Sequence, residues 1–140
     1  MALVISLGRN AKLCVATSGT ATTEVLGAQN ASIDGGWETK KIMHLRDTAK
    51  TTIMLLKNWT LTGTLTEDFD DAGQDIIRTA YNAGSDIAFM LYPGTATATT
   101  TTFMCTTGKV TKYTPNFDPM NENNASFTIE ENGVAMTMPA

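Results

Sequence analysis

The stretch Trp59–Tyr92, WTLTGTLTEDFDDAGQDIIRTAYNAGSDIAFMLY, decides the fold class. Trp59, Leu61, Gly63 and Leu65 alternate with Thr60, Thr62, Thr64 and Thr66. Side chains of a strand point alternately to its two faces, so this is a half-buried strand. Gly63 stands where a Leu would fit the pattern, which predicts a bulge or a close backbone approach. Asp71 and Gln74 have the Asp-x-x-Gln spacing of a capping box, whose two side chains satisfy orphan N–H groups at a helix start. Asp70, Asp71 and Asp75 add negative charge where the helix dipole favours it. Ala72, Ile76, Ala80 and Ala83, with Ile77 and Tyr81 beside them, form an apolar stripe that predicts a helix over about 71–83. Gly84 is placed as its left-handed stop. Ile87–Tyr92 is nearly all apolar and predicts a central strand buried on both faces.

Working outward, Lys12–Thr17 predicts a short first strand and Glu24–Ile33 a second pairing region. Asp34-Gly35-Gly36 has turn composition. Residues 37–52 show no clean period and predict a long loop or an extended arm; so long a loop in a compact domain is usually functional or ordered by a partner. Thr95–Thr102 is Thr/Ala-rich, consistent with a hairpin tip. Phe103–Tyr113 and Ala125–Glu131 alternate as strands, and Val134–Met138 can add a last one. Together these elements predict a mainly β protein, a β-sandwich or barrel with one flanking α-helix and a long loop at about 37–52. Residues 1–140 are expected to form a single domain, with a possible N-terminal arm at about 1–10.

Composition narrows the function. The 140 residues are 42% hydrophobic and 17% charged, with a formal net charge of −4, enough apolar content for a core. Ten Lys and Arg without a tight cluster argue against strong nucleic-acid binding, which needs grouped cations to neutralise phosphates. Ala2–Leu7 is too short and lacks the basic flank of a signal peptide, so none is expected, and no run approaches a membrane span. Cys14 and Cys105 belong to no ligand motif and are expected as buried free thiols.

No catalytic, metal-binding or cofactor-binding residue stands out, and the chain is not expected to be an enzyme. Residues 68–73 imitate the opening of a calcium loop, but Ala72 and Thr79 occupy positions five and twelve, where ligands are required; helix capping explains the acids better. His44, the sole histidine, excludes multi-histidine metal sites and fits a loop or interface position. The eight methionines are scattered as packing residues. The sequons at Asn30, Asn58 and Asn124 carry no meaning without secretion. In the 37–52 segment, Trp37, Ile42, Met43 and Leu45 lie among Lys40, Lys41, His44 and Arg46, the mixture of apolar anchor and polar rim expected of a subunit contact.

The succession of Trp59–Thr66, the turn and helix Asp70–Tyr81, the strand Ile87–Tyr92, then Gly108-Lys109-Val110-Thr111-Lys112-Tyr113 and Ala125-Ser126-Phe127-Thr128-Ile129 resembles the layout of the tail tube proteins of long-tailed bacteriophages. Gly36-Trp37 and the loop after it resemble that family too, and the likeness covers most of the chain from about Ser32. It implies a β-sandwich with a flanking helix, self-assembled into hexameric rings stacked as a tube through which the genome leaves the capsid. It further implies a location in the virion tail after synthesis in the host cytoplasm. The implied partners are tail tip, tape measure and terminator proteins, with DNA passing through unbound and no membrane contact. By position, Trp37, Lys40, Lys41, Ile42, Met43, His44, Leu45 and Arg46 are the implied interface. The alternatives are the tube subunit of a contractile injection or secretion system, and a carbohydrate-binding, adhesin-like β-sandwich that stacks sugars on Trp37 or Trp59.

Overall fold

The computed structural model describes residues 12–92, 103–117, 119–134, 136 and 137. The expected N-terminal arm at 1–10 and the Thr/Ala-rich 95–102 segment lie outside these residues. Seven strands and one helix follow in the order β1 (Lys12–Ala16), β2 (Thr23–Glu24), β3 (Ala28–Ile42), β4 (Thr51–Thr66), α1 (Ala72–Ala83), β5 (Asp86–Tyr92), β6 (Phe103–Asn116) and β7 (Asn124–Glu131). The strands form one antiparallel sheet in the order β2-β1-β5-β6-β7-β4-β3.

The sheet bends over on itself at β6. That strand takes an extra residue against β5 between the Ile87 and Phe89 pairs, and another against β7 between Val110 and Lys112. Bulges increase local twist and curl a sheet. Side chains from its two halves therefore meet: Trp59 of β4 packs edge-on against Phe89 of β5, with ring centroids 5.2 Å apart. Leu13, Val15, Leu61, Leu65, Ile87, Phe89, Phe127 and Ile129 share one core with Ile77 of the helix. The result is a sandwich-like fold rather than a closed barrel, because β2 and β3 remain at the two edges.

Helix α1 begins at Asp71, whose extended backbone and side chain, accepting from Gln74 N–H, make it the N-cap; Gly84 ends it at φ 66°. Only half of the expected capping box forms. Gln74 does not reach back to Asp71 N–H, which bonds to the Asp68 carbonyl instead. The buried face also differs from the expected stripe: Gly73, Gln74, Ile77 and Ala80 turn inward, whereas Ala72 and Ala83 are exposed. Gly73 sets this rotation, because a Cβ there would stand 2.5 Å from the Glu24 carbonyl oxygen of β2.

Three further expectations change. Asp34, Gly35 and Gly36 do not turn; they lie within β3, paired with Thr60, Trp59 and Asn58. The segment 37–52 is not a long loop but the outer part of a β-hairpin whose strands pair out to Ile42 and Thr51, leaving only 43–50 as the connection. After β7 no described strand follows; Thr137 makes an isolated bridge. The two cysteines are buried, free thiols on opposite faces of the sheet, Cys14 with Met90 and Cys105 in the main core.

Candidate functional site

The β3–β4 hairpin outgrows the body of the molecule. Strand β7 pairs with β4 only from Thr60 to Thr66, so from Asn58 outward the hairpin has two strands and no third. Its inner end is core, with Trp59 and Leu61 buried. From Thr51 to Asn58, β4 is exposed at every residue. A two-stranded ribbon is marginally stable in water and normally needs a covering layer.

Its side chains leave apolar surface exposed on both faces. Ile53 and Met54, successive residues and hence on opposite faces, are 38% and 51% exposed. Between the pairs Trp37↔Lys57 and Thr39↔Met54 the register slips, so that β4 carries an extra residue, and Leu55 and Leu56 sit at this bulge, both exposed. Leu45, at the tip, is almost wholly exposed, and Met43 is exposed beside it. The tip is nonetheless shaped: His44 N–H donates to Asp47 Oδ2 at 2.7 Å, Asp47 N–H donates to the His44 carbonyl, and Arg46 takes a left-handed φ of 83°. Between Trp37 and Lys57 the hairpin carries Lys40, Lys41, Arg46, Lys50 and Lys57 against Glu38 and Asp47, in a chain whose formal net charge is −4.

The structure thus gathers Trp37, Lys40, Lys41, Ile42, Met43, His44, Leu45 and Arg46 on one arm. Sequence reasoning missed the other half of its apolar surface, Ile53-Met54-Leu55-Leu56, although four successive apolar residues before Lys57 are a visible signal. Trp37 is half-exposed with Lys57 Nζ 5.2 Å from its ring centroid, at the arm's root. There Ile33, Trp37, Leu91, Phe103 and Met136 help line a hollow of about 730 Å³. Trp59 is no sugar platform: it is 2% exposed, and its Nε1–H donates to the Val134 carbonyl at 3.1 Å.

Where the helix meets the body, the expected caps sit in a wider network. Asp71 Oδ2 accepts from Gln74 N–H at 3.0 Å and from Leu26 N–H at 3.2 Å. Gln74, fully buried, donates from Nε2 to the Leu26 and Thr66 carbonyls and accepts at Oε1 from Asp68 N–H. Arg78 bonds Asp75 and reaches Gln74 Oε1. Burial raises Tyr113 above its ordinary range, and its hydroxyl donates to Glu67 Oε1 at 3.0 Å. These bonds lock the Leu26–Gly27 turn, the end of β4 and the helix together, a structural rather than chemical arrangement. Among the described residues no group of three or more His, Cys, Asp or Glu could hold a metal ion, and no helix is long and apolar enough to cross a membrane.

No protein-family model matches the sequence, and no curated protein matches it. Solved structures do. The chain is similar to a protein of the tail of an empty gene transfer agent (GTA) particle, refined with C6 symmetry, at a TM-score of 0.77 and 13% identity over 97% of this chain and 100% of that one. It is similar to the SPP1 tail tube at 0.73 and 15% identity, over 90% and 75% of the two chains. It is similar to a protein in the sheath/tube terminator structure of an extracellular contractile injection system, PVC, at 0.64 and 13% identity, over 98% and 99%. The chain has the fold these tail and tube proteins share.

Proposed function

We propose that this chain is the repeating structural subunit of a tail tube, carried in the virion tail and assembled from copies of itself as stacked hexameric rings. The observation that carries the reading is the arm. A hairpin exposed on both faces, with Ile53, Met54, Leu55, Leu56 and Leu45 bare of cover, is an element whose partner is another molecule. The fold likeness supports the same reading, since it spans nearly the whole chain and one such neighbour was refined with C6 symmetry.

The edges agree with it. Strand β3, fifteen residues long, is a sheet edge with one unpaired row of backbone groups. A long edge invites pairing with another chain, and a closed ring of identical subunits uses such an edge without open-ended aggregation. The role is architectural: the chain forms one domain of the wall, DNA slides through without being held, and an acidic protein suits a channel that must not bind phosphate. Tail tip, tape measure and terminator proteins are the partners expected at the ends and in the lumen of such a tube.

Negative-stain electron microscopy of the concentrated protein tests this reading. Hollow tubes or six-fold rings are expected; a protein that stays monomeric at all concentrations and ionic strengths would argue against it. The likeness to the contractile-system protein favours one second reading, a tube surrounded by a contractile sheath. A sheath gene beside this one decides between them.

A further inference from the structure

We propose that the apolar segment Ala2–Leu7 fills the hollow at the root of its own chain's arm, seating Leu3, Ile5 and Leu7 against Trp37 and Leu91. The contact lies within one copy and is independent of the tube reading.

The hollow is an open end of the core. Ile33, Leu91 and Met136 pack against the core yet stay partly exposed, and Trp37, 46% exposed, lines the same space. Gly35 and Gly36 form part of the wall from inside strand β3, where glycine ordinarily weakens a strand. Neither has a positive φ. A Cβ on Gly36 would meet nothing within 4 Å, and one on Gly35 only the Asn58 carbonyl oxygen at 3.7 Å. Among the described residues nothing requires two positions without side chains; a further segment passing close to the strand does.

The place where the chain enters the fold points to the segment. Lys12 pairs with Tyr92, Leu13 with Leu91, and Leu91 with Phe103, so residues 1–11 join the body beside two residues that line the hollow. At the usual strand spacing β6 lies about 10 Å from β1, whereas an extended chain from Lys12 back to Leu7 covers about 16 Å. Leu7 is therefore within reach, with Gly8-Arg9-Asn10 as a place to bend. Counting back by twos from Val15 and Leu13, both in the core, reaches Leu7, Ile5 and Leu3, with the smaller Ala2, Val4 and Ser6 between them. The segment 93–102, which also leaves at this end, carries no side chain larger than Pro or Thr, and 138–140 offers only Met138 as a large apolar one. Seating three branched side chains against Trp37 and Leu91 removes apolar surface of both from water, which offsets the entropy lost in ordering the segment.

NMR of the full chain, kept dilute enough to stay dispersed, tests the contact. Cross-relaxation is expected from the methyls of Leu3, Ile5 and Leu7 to the Trp37 ring in a uniformly labelled sample. None is expected in an isotope-filtered experiment on mixed labelled and unlabelled chains. Gly36→Val fills the space beside the strand and is expected to abolish the cross-relaxation in a protein still folded by circular dichroism. Trp37 fluorescence gives a second reading, with Trp59, 2% exposed, as a constant background. Leu3→Ser/Ile5→Ser/Leu7→Ser is expected to shift that emission to the red and to raise its quenching by acrylamide. Contacts found only between labelled and unlabelled chains would assign the hollow to a second copy and overturn this contact. Their absence from dispersed wild type, or an emission unmoved by the serine variant, overturns it too. None of these outcomes bears on whether tubes form, which electron microscopy decides.

Discussion

The Phe127 ring lies over Gly63 on the neighbouring strand: a Cβ on residue 63 would stand 2.8 Å from the ring's Cζ and 2.7 Å from the Asn30 carbonyl oxygen. The two residues are register partners in β4 and β7. The alternation in Trp59–Thr66 is therefore interrupted for lack of room. Gly63→Ala is expected to cost about 2 kcal/mol, an overpacking penalty slightly offset by the lower conformational freedom of Ala when unfolded. Urea unfolding measures it. In a Phe127→Leu background the penalty should shrink but persist, because the Asn30 carbonyl is backbone and cannot swing away.

Gln74 holds a junction that no apolar residue can replace. It is fully buried, and its amide serves the Leu26 and Thr66 carbonyls and Asp68 N–H together. Gln74→Leu keeps the volume but strands those three groups, so a loss of about 3 kcal/mol is expected. Asp71→Ala should cost about 2 kcal/mol, the upper range for a cap, since Asp71 also holds Leu26 N–H. The two losses should fall short of additivity in a double-mutant cycle, because both act on the Leu26 turn.

These residues also mark what the sequence could convey. Strand β5, the body half of β4, and both helix caps were legible because each rests on a local rule: an apolar run, a period of two, an Asp at N-cap, a Gly at C′. Gln74 fitted the capping box by spacing, yet its partners are tertiary, 48 residues away at Leu26 or across the turn at Thr66, and no local pattern encodes them. The arm was misread for a different reason. Alternation arises when one face of a strand is buried in the same chain, and this ribbon has exposed apolar residues on both faces. The bulge opposite Glu38 then breaks what parity remains, and Asp34-Gly35-Gly36 imitates a turn within a continuous strand. The apolar and basic residues of 37–46 stood out in the sequence as a cluster, without the strand geometry that presents them.

Stability should decline on the alkaline side. Burial raises Cys14, Cys105 and Tyr113 above their ordinary values of 9.0 for the thiols and 10.0 for the phenol. In each case the neutral form is favoured in the folded chain, so the unfolded chain releases its proton first. The stabilisation is complete below the ordinary values and is lost as pH rises through the raised ones. Thermal midpoints should therefore hold steady up to about pH 8.5 and fall beyond it. Replacing both cysteines with Ala should delay the onset of the fall toward the tyrosine range. An unaltered onset would show that the thiols contribute nothing to it.

Exposed apolar residues on the arm should matter to assembly and not to folding. Leu45, Leu56 and Met54 are 97%, 67% and 51% exposed, so replacing them with Ser removes little buried surface. Surface substitutions of this kind usually change stability by no more than about 0.5 kcal/mol. The triple variant Leu45→Ser/Met54→Ser/Leu56→Ser is expected to unfold at the wild-type urea midpoint and to form no tubes. Each element of that pairing is needed. A lowered midpoint would mean that the arm folds back on its own body, and the loss of tubes would then say nothing about contacts between copies. Normal tubes at an unchanged midpoint would mean that the wall is built from the β3 edge alone, with the outer arm free in solvent. Wild-type stability combined with lost assembly is the result that a covering neighbour requires, because only then is the burial of these side chains an event between molecules.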